Sequence, residues 1–292
     1  MLAFVTSLRH PQNSAQYGRV EELLCETLKS VTNQTCSDYV VIVVGNQRPS
    51  FALPERVHFV LVDFPAPAPP TGPMTARTPF VWDKGTKIGI GLVAAREFSP
   101  DYVMIFDADD FVHQDLAAFT RDSPGQSGWV VEEGWMYSRL RNAYRAQSQF
   151  NRTCGTSFII PFSAYGVPVE LTVSADQAEV AAAFDERLPN ILGAHRNAVD
   201  WHAAHGRSLA PLPFRGAVYH VDTGENHSGK ALVGLARPLS AEIAVEFGIT
   251  RTRGAISTLW ACFGVVAAWQ TTRLTLRRAV ASVSRRVRRD GS

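Results

Sequence analysis

Cysteine is scarce in this sequence. Its four residues, Cys25, Cys36, Cys154 and Cys262, are scattered and form no CxxC pair. That spacing excludes a disulfide framework or a zinc ribbon and fits a reducing compartment. Net charge is nearly absent too, at +2. No basic stretch is interleaved with aromatics, which argues against a nucleic-acid partner. There is no internal repeat, so solenoids and propellers are excluded. A glycine-rich phosphate-cradling loop is missing from the N-terminal region. The apolar start, Met1 to Leu8, lacks a basic n-region and a cleavage site, and is expected to be a first strand in a cytoplasmic protein rather than a signal peptide.

What is present is an ordinary globular composition, 46% hydrophobic and 19% charged. Length alone allows one large α/β domain or two small ones. Leu2 to Leu8, Tyr39 to Val44, Val57 to Val62 and Tyr102 to Phe106 are apolar runs of strand length. Between them, Val20, Leu23, Leu24, Leu28 and Val31 repeat at helical spacing, and Asp83 to Phe98 carries an apolar stripe through Ile88, Leu92 and Ala95. Alternating strands and helices predict a mostly parallel sheet covered by helices on both faces. The proline-rich stretch from Phe64 to Pro79 interrupts the pattern and is expected to be a loop. Further on, short strands are expected at Trp129–Val131, Phe158–Phe162 and Ala217–Val221, with helices at Ala178–Phe184 and Leu192–His205.

The strand Tyr102 to Phe106 runs directly into Asp107-Ala108-Asp109-Asp110. In open α/β sheets the carboxyl end of a strand is where ligands bind. Three carboxylates this close repel one another unless a cation intervenes, and hard oxygen ligands suit Mg²⁺ or Mn²⁺. The alternative is a helix cap, with Asp110 opening the next element and Asp107 and Asp109 solvated.

Several stretches together carry a resemblance. The strand–helix order, the helix end Leu28-Lys29-Ser30-Val31-Thr32-Asn33-Gln34-Thr35, the strand Tyr39 to Val44, a lysine-bearing helix and then Asp107-Ala108-Asp109-Asp110 resemble GT-A-fold glycosyltransferases of the family-2-like inverting group, over roughly residues 2 to 230. The resemblance implies a GT-A (Rossmann-like) domain over 1–230, with an apolar and basic helical extension over 231–292. It implies metal-dependent transfer of a sugar from a nucleotide-diphosphate sugar, with a UDP-sugar as the expected donor, to a saccharide or lipid-linked acceptor in surface polysaccharide or glycolipid synthesis. Asp107 would touch the donor ribose or sugar, and Asp107 and Asp109 would face the Mn²⁺ or Mg²⁺ ion. Ser7, Arg9 and Asn46 lie at strand ends expected to hold base and ribose. Lys84 or Lys87 would contact base or phosphate, unless both are solvated helix-face lysines. Glu133, Trp135 and Tyr137, beside Glu132, fall in the expected acceptor region.

The sequence departs from this pattern at the catalytic base. An Asp is expected about eleven residues before a helix-ending glycine, and counting back from Gly206 reaches His195. Histidine can accept a proton near neutrality, so His195 is the first candidate and Asp200 the second. If neither serves, the chain is a retaining enzyme or a non-catalytic nucleotide-sugar-binding relative. A nucleotidyltransferase is the third possibility. The segment Tyr219 to Ser228 resembles the family's closing loop, in which His227 or His220 would complete the metal shell.

Ala255 to Thr272 is uncharged, and seven arginines with no acid follow between Arg273 and Arg289. Eighteen residues diluted by Ser, Thr, Gly and Gln sit at the lower limit of a membrane span. An in-plane helix on an anionic membrane surface, with Trp260 and Trp269 at the interface, keeps the domain on the cytoplasmic side. A helix packed on the domain or on a second subunit is the alternative.

Overall fold

The structure, a computed structural model, describes residues 1–68, 78–225 and 229–272. Its centre is a seven-stranded sheet. Strands β1 (Leu2–Ser7), β2 (Tyr39–Gly45), β3 (Val57–Leu61) and β4 (Tyr102–Ile105) are mutually parallel in the order β3-β2-β1-β4. Beyond β4 lie the antiparallel strand β9 (Phe158–Pro161), then β6 (Trp129–Val130) and β10 (Ala210–Pro211).

Strand alternation places one set of side chains on each face. Phe4, Val41, Val43 and Met104 pack under Leu24 and Leu28 of α1 (Tyr17–Val31). Ala3, Val5, Ile42, Val44 and Ile105 pack under Ile88 and Leu92 of α2 (Thr78–Ala95) and Phe184 of α4 (Gln177–Phe184). With both faces covered, the strands read as continuous apolar runs. This is the mixed α/β architecture with helix-flanked, mostly parallel sheet that the sequence predicts.

Helix α2 reaches the sheet closely because Gly91 lies against Val5; a Cβ there would come within 2.4 Å of the valine Cγ1. A Cβ on Gly85 would meet the Leu188 side chain at 2.8 Å.

A second sheet of five strands was not foreseen. It has the order β12-β8-β7-β11-β5: β12 is Arg237–Pro238, β8 Ala143–Ser148, β7 Glu133–Ser138, β11 Ala217–Val221 and β5 Phe111–Val112. Between β5 and β6 lies the short helix α3 (Leu116–Arg121). The sheet's small core holds Phe111, Tyr137, Tyr144 and Val218, closed by α6 (Ala241–Glu246).

Three expectations are corrected. The helix over Leu192–His205 is two pieces: a π-helical turn at Leu188–Leu192, a bend, and α5 (Ala198–Ala204), ended by Gly206 at φ 72°. Thr78 and Pro79, expected in the proline-rich loop, belong to α2; residues 69–77 of that stretch lie outside the described ones. The apolar C-terminal segment is also two helices, α7 (Ala255–Phe263) and residues 265–272, separated at Gly264, whose extended backbone breaks the helix. Among the described residues no helix is long and apolar enough to cross a membrane.

Candidate functional site

The chain leaves β1 through α1 to reach β2 on one side, and returns through α2 to β4 on the other. The carboxyl ends of β1 and β4 therefore flank the point where strand order reverses, the standard crevice of an open α/β sheet. Asp107 to Asp110 stand there.

The three acids have different surroundings. Asp110 is fully buried and accepts from Thr156 Oγ1 at 2.6 Å, Cys154 Sγ at 2.9 Å and the His220 amide at 3.0 Å. Burial, then the neighbouring Asp109 and Asp107, push its carboxyl well above the usual range. Its acceptor positions are occupied, so it holds the turn that presents Asp107 and Asp109. Asp107 stays partly exposed and pairs with Lys84 through Oδ1. Burial alone would lower the Lys84 ammonium, but Asp107 outweighs it and the net shift is upward. Asp109 takes a 3.5 Å contact from Thr223 Oγ1, and burial followed by Asp107 pushes it up to about 7, against the pull of Lys84 and Arg9. Buried and crowded carboxylates of this kind gain from a nearby positive charge.

One oxygen each from Asp107 and Asp110 and the Cys154 sulfur lie within 4.8 Å of one another, the spacing of a metal site. The chemistry is uneven, however. Burial raises the Cys154 thiol well above its usual value, and it donates to Asp110, so sulfur and Asp110 are engaged with each other. Carboxylate oxygens of the kind Asp107 and Asp109 bring to this crevice are hard ligands, the class that divalent cations take.

His195, in the bend between the π turn and α5, joins the same group. A Cβ built on Gly155 would lie 3.0 Å from Asp107 Oδ2, 3.4 Å from His195 Nδ1 and 3.4 Å from Lys84 Nζ. Gly155 thus floors a space shared by side chains from three separate segments. Burial and then Lys84 lower the His195 imidazole to about 4, so it is neutral at pH 7. Its Nε2 is buried with no hydrogen-bond partner among the described residues. Asp200 stands apart and exposed. It lines a cavity of about 410 Å³ with Glu132, Glu133, Ser148, Asn151, Arg152 and Arg196.

The remaining candidates divide. Arg9 lies at the crevice mouth, and its guanidinium binds Glu225 at 2.6 Å and the Glu225 carbonyl. Ser7 stands partly exposed at the end of β1. Asn46 uses its Nδ2 on the carbonyls of Val62 and Phe64, 3.2 and 2.8 Å away, and so shapes the loop after β3. Lys87 is corrected: it is 0% exposed, and its ammonium is consumed by Asp83 at 2.9 Å and the Leu8 carbonyl at 3.1 Å. Tyr137 is likewise a core residue, packed on Phe111 and His220. Trp135 carries the Arg215 guanidinium over its ring at 4.4 Å, while Glu133 faces the cavity. His220 is buried, lowered by that burial to about 3, and its Nδ1 contacts the Asp109 carbonyl at 3.2 Å. It steadies the acidic turn and is not among the clustered ligand atoms. His227 lies outside the described residues.

Sequence reasoning missed Cys154, Gly155 and Thr156. Nothing in their order marks them; β9, which follows them, pairs with β4 and brings them under the acidic turn. Thr156 Oγ1 also accepts from the Asp107 amide at 2.9 Å.

Neither a family model nor a curated protein sequence matches the chain. Among solved structures, the chain is similar to S. aureus TarS at 12% identity and a TM-score of 0.35, covering 75% of this chain and 36% of TarS. It is also similar to HddC from Yersinia pseudotuberculosis, complexed with GMP-PN, at 10% identity and a TM-score of 0.31, covering 76% and 93%. The chain thus spans little more than a third of the length of TarS. Both likenesses are remote, and the functional reading rests on the site's own geometry.

Proposed function

We propose that the chain is a metal-dependent glycosyltransferase of the inverting type, using a nucleotide-diphosphate sugar as donor. The observation that carries this reading is the convergence of Asp107, Asp109, Lys84 and His195 at the reversal point of a parallel sheet. Departure of a nucleoside diphosphate leaves negative charge on phosphate oxygens. A divalent ion held by Asp107 and Asp109 would supply a Lewis acid there. Lys84 sits beside Asp107 and can move its ammonium from that carboxylate to a phosphate. Neutral His195, with Nδ1 facing the same space, takes the proton of the acceptor hydroxyl as that oxygen bonds to the anomeric carbon and the carbon–phosphate oxygen bond breaks.

The acceptor, a saccharide or a lipid-linked saccharide, enters from the cavity of Glu133, Asp200 and Arg196, next to His195 in the chain. Arg9 and Ser7 border the donor side. In this reading the enzyme works at the inner face of a membrane, in the synthesis of surface polysaccharide or glycolipid.

The test is transfer and donor hydrolysis across a panel of nucleotide sugars with Mn²⁺. Asp109→Asn is expected to lower turnover by roughly 10²–10³-fold, as loss of one charge-stabilising group does. Turnover unchanged in that variant would overturn the metal site. His195→Ala is expected to keep donor binding and lose transfer. Donor binding without turnover in the wild type would leave a nucleotide-sugar-binding protein instead.

A further inference from the structure

The two C-terminal helices present their apolar side chains outward. Ile256 is 86% exposed, Trp260 71% and Val265 73%, and Leu259, Phe263 and Val266 are also exposed. Thr258, Cys262 and Ala267 face inward. An apolar area of this extent marks an interaction surface. Its surroundings select the partner. Arg251 and Arg253 are exposed on its N-terminal side, and the sequence that follows holds seven arginines and no acid up to Arg289. An apolar face flanked along the sequence by cations fits a layer that is apolar inside and anionic at its surface.

This face is fixed to the domain. The Arg141 guanidinium, in the turn between β7 and β8, donates to the carbonyls of Ala261 (2.7 Å), Leu232 (2.5 Å) and Gly234 (2.7 Å). Asn142 Nδ2 donates to Thr258 Oγ1 at 3.2 Å, and the amides of Gly234 and Leu235 donate to Gln270 and Thr271. Cys262 is part of the main hydrophobic core.

We propose that the face of Ile256, Leu259, Trp260, Phe263, Val265 and Val266 lies in the plane of an anionic lipid bilayer. The break at Gly264 suits this use, since a segment bent there follows a surface where one straight helix of eighteen residues would approach a span. Because hydrogen bonds anchor the face, the carboxylate crevice sits at a set height above the lipid. If the transferase reading holds, the acceptor is one the bilayer itself carries.

The experiment uses the full chain with vesicles of phosphatidylglycerol and phosphatidylcholine, and with phosphatidylcholine alone, read by co-sedimentation and tryptophan emission. Binding to the anionic vesicles is expected, with a blue shift, and with affinity falling at least tenfold in 0.5 M salt or in the double variant Ile256→Glu, Trp260→Glu. Circular dichroism checks that the variant is folded; if it is not, the single variant Val265→Glu replaces it. Failure to bind anionic vesicles, or equal binding by folded variants, would overturn the proposal. So would a lipid-free dimer, seen by ultracentrifugation, that the same substitutions dissolve. None of these readouts uses sugar transfer, so the membrane face and the transferase reading fail separately.

Discussion

Asp110 and Asp109 are adjacent, yet burial gives them opposite tasks. Asp110 is enclosed by three donors, whereas Asp109 is half-buried and takes only a 3.5 Å side-chain contact from Thr223. An Asp110→Asn substitution points an amide N–H at groups that already donate, leaving buried donors unmatched. Such a loss costs about 1–3 kcal/mol, and urea unfolding of the variant is expected to show it. His202 offers a pH-dependent counterpart. It is 1% exposed, accepts at Nδ1 from Arg207 Nε at 3.2 Å, and burial, then Arg207, lower it to about 4. In the unfolded chain it titrates near 6.5, so between about 6.5 and 4 the unfolded state holds the extra proton. Stability is therefore full above that window and falls as the pH drops through it, by at most about 3 kcal/mol. His202→Asn is expected to lack this part of the acid slope when denaturant midpoints are compared at pH 7 and pH 4.5. An unchanged slope would mean that another group carries it.

At the level of elements, the parts legible in the sequence are those whose periodicity is set by burial on both sides. The runs in β1, β2 and β4 and the stripes of α1 and α2 could be read because sheet and helices constrain every position. The hairpin β7–β8 escaped because its residues are half polar: Arg145 and Gln147 alternate away from a small core to which the pair brings Tyr137, Tyr144 and the half-buried Trp135. Its turn is made by Asn142 at φ 48°, a signal that Arg139-Leu140-Arg141-Asn142 does not advertise. Lys87 was misread for a related reason. A lysine on a helix suggests a solvated head, and only the approach of Asp83 and the Leu8 carbonyl withdraws it. The bend that carries His195 likewise depends on packing. A Cβ on Gly193 would lie 2.0 Å from the Val81 carbonyl oxygen, so α2 and this bend touch backbone to backbone. Gly193→Ala must push them apart, and is expected to cost about 1–3 kcal/mol as overpacking does. It should also lower transfer more than donor affinity, because the displaced residue is the proposed base. Thermal unfolding and the split between kcat and KM measure the two effects.

For the molecule as a whole, the site is assembled late in the chain. Asp107 and Lys84 come from the parallel half of the sheet, but Gly155, Thr156 and His195 arrive only after the chain has added an antiparallel strand and the bend. Folding gathers Asp107, Asp109 and Asp110 at one turn, and the upward shifts of Asp109 and Asp110 record burial first and then the repulsion of their neighbours. Lys84 pairs with one of the three carboxyls, that of Asp107. A divalent ion bound by the folded chain and not by the unfolded one must then stabilise the whole molecule, by RT ln(1 + [L]/Kd), or about 2.7 kcal/mol at a hundredfold excess over Kd. For a chain of 292 residues each kcal/mol corresponds to roughly 1.5–2 °C. Millimolar Mn²⁺ is therefore expected to raise the melting temperature of the wild type by several degrees and chelation to reverse it. The doubly neutralised variant Asp107→Asn, Asp109→Asn lacks the carboxylates proposed to hold the ion, so its melting temperature should respond little to Mn²⁺. A wild type indifferent to Mn²⁺ would mean that Lys84 alone balances the crevice.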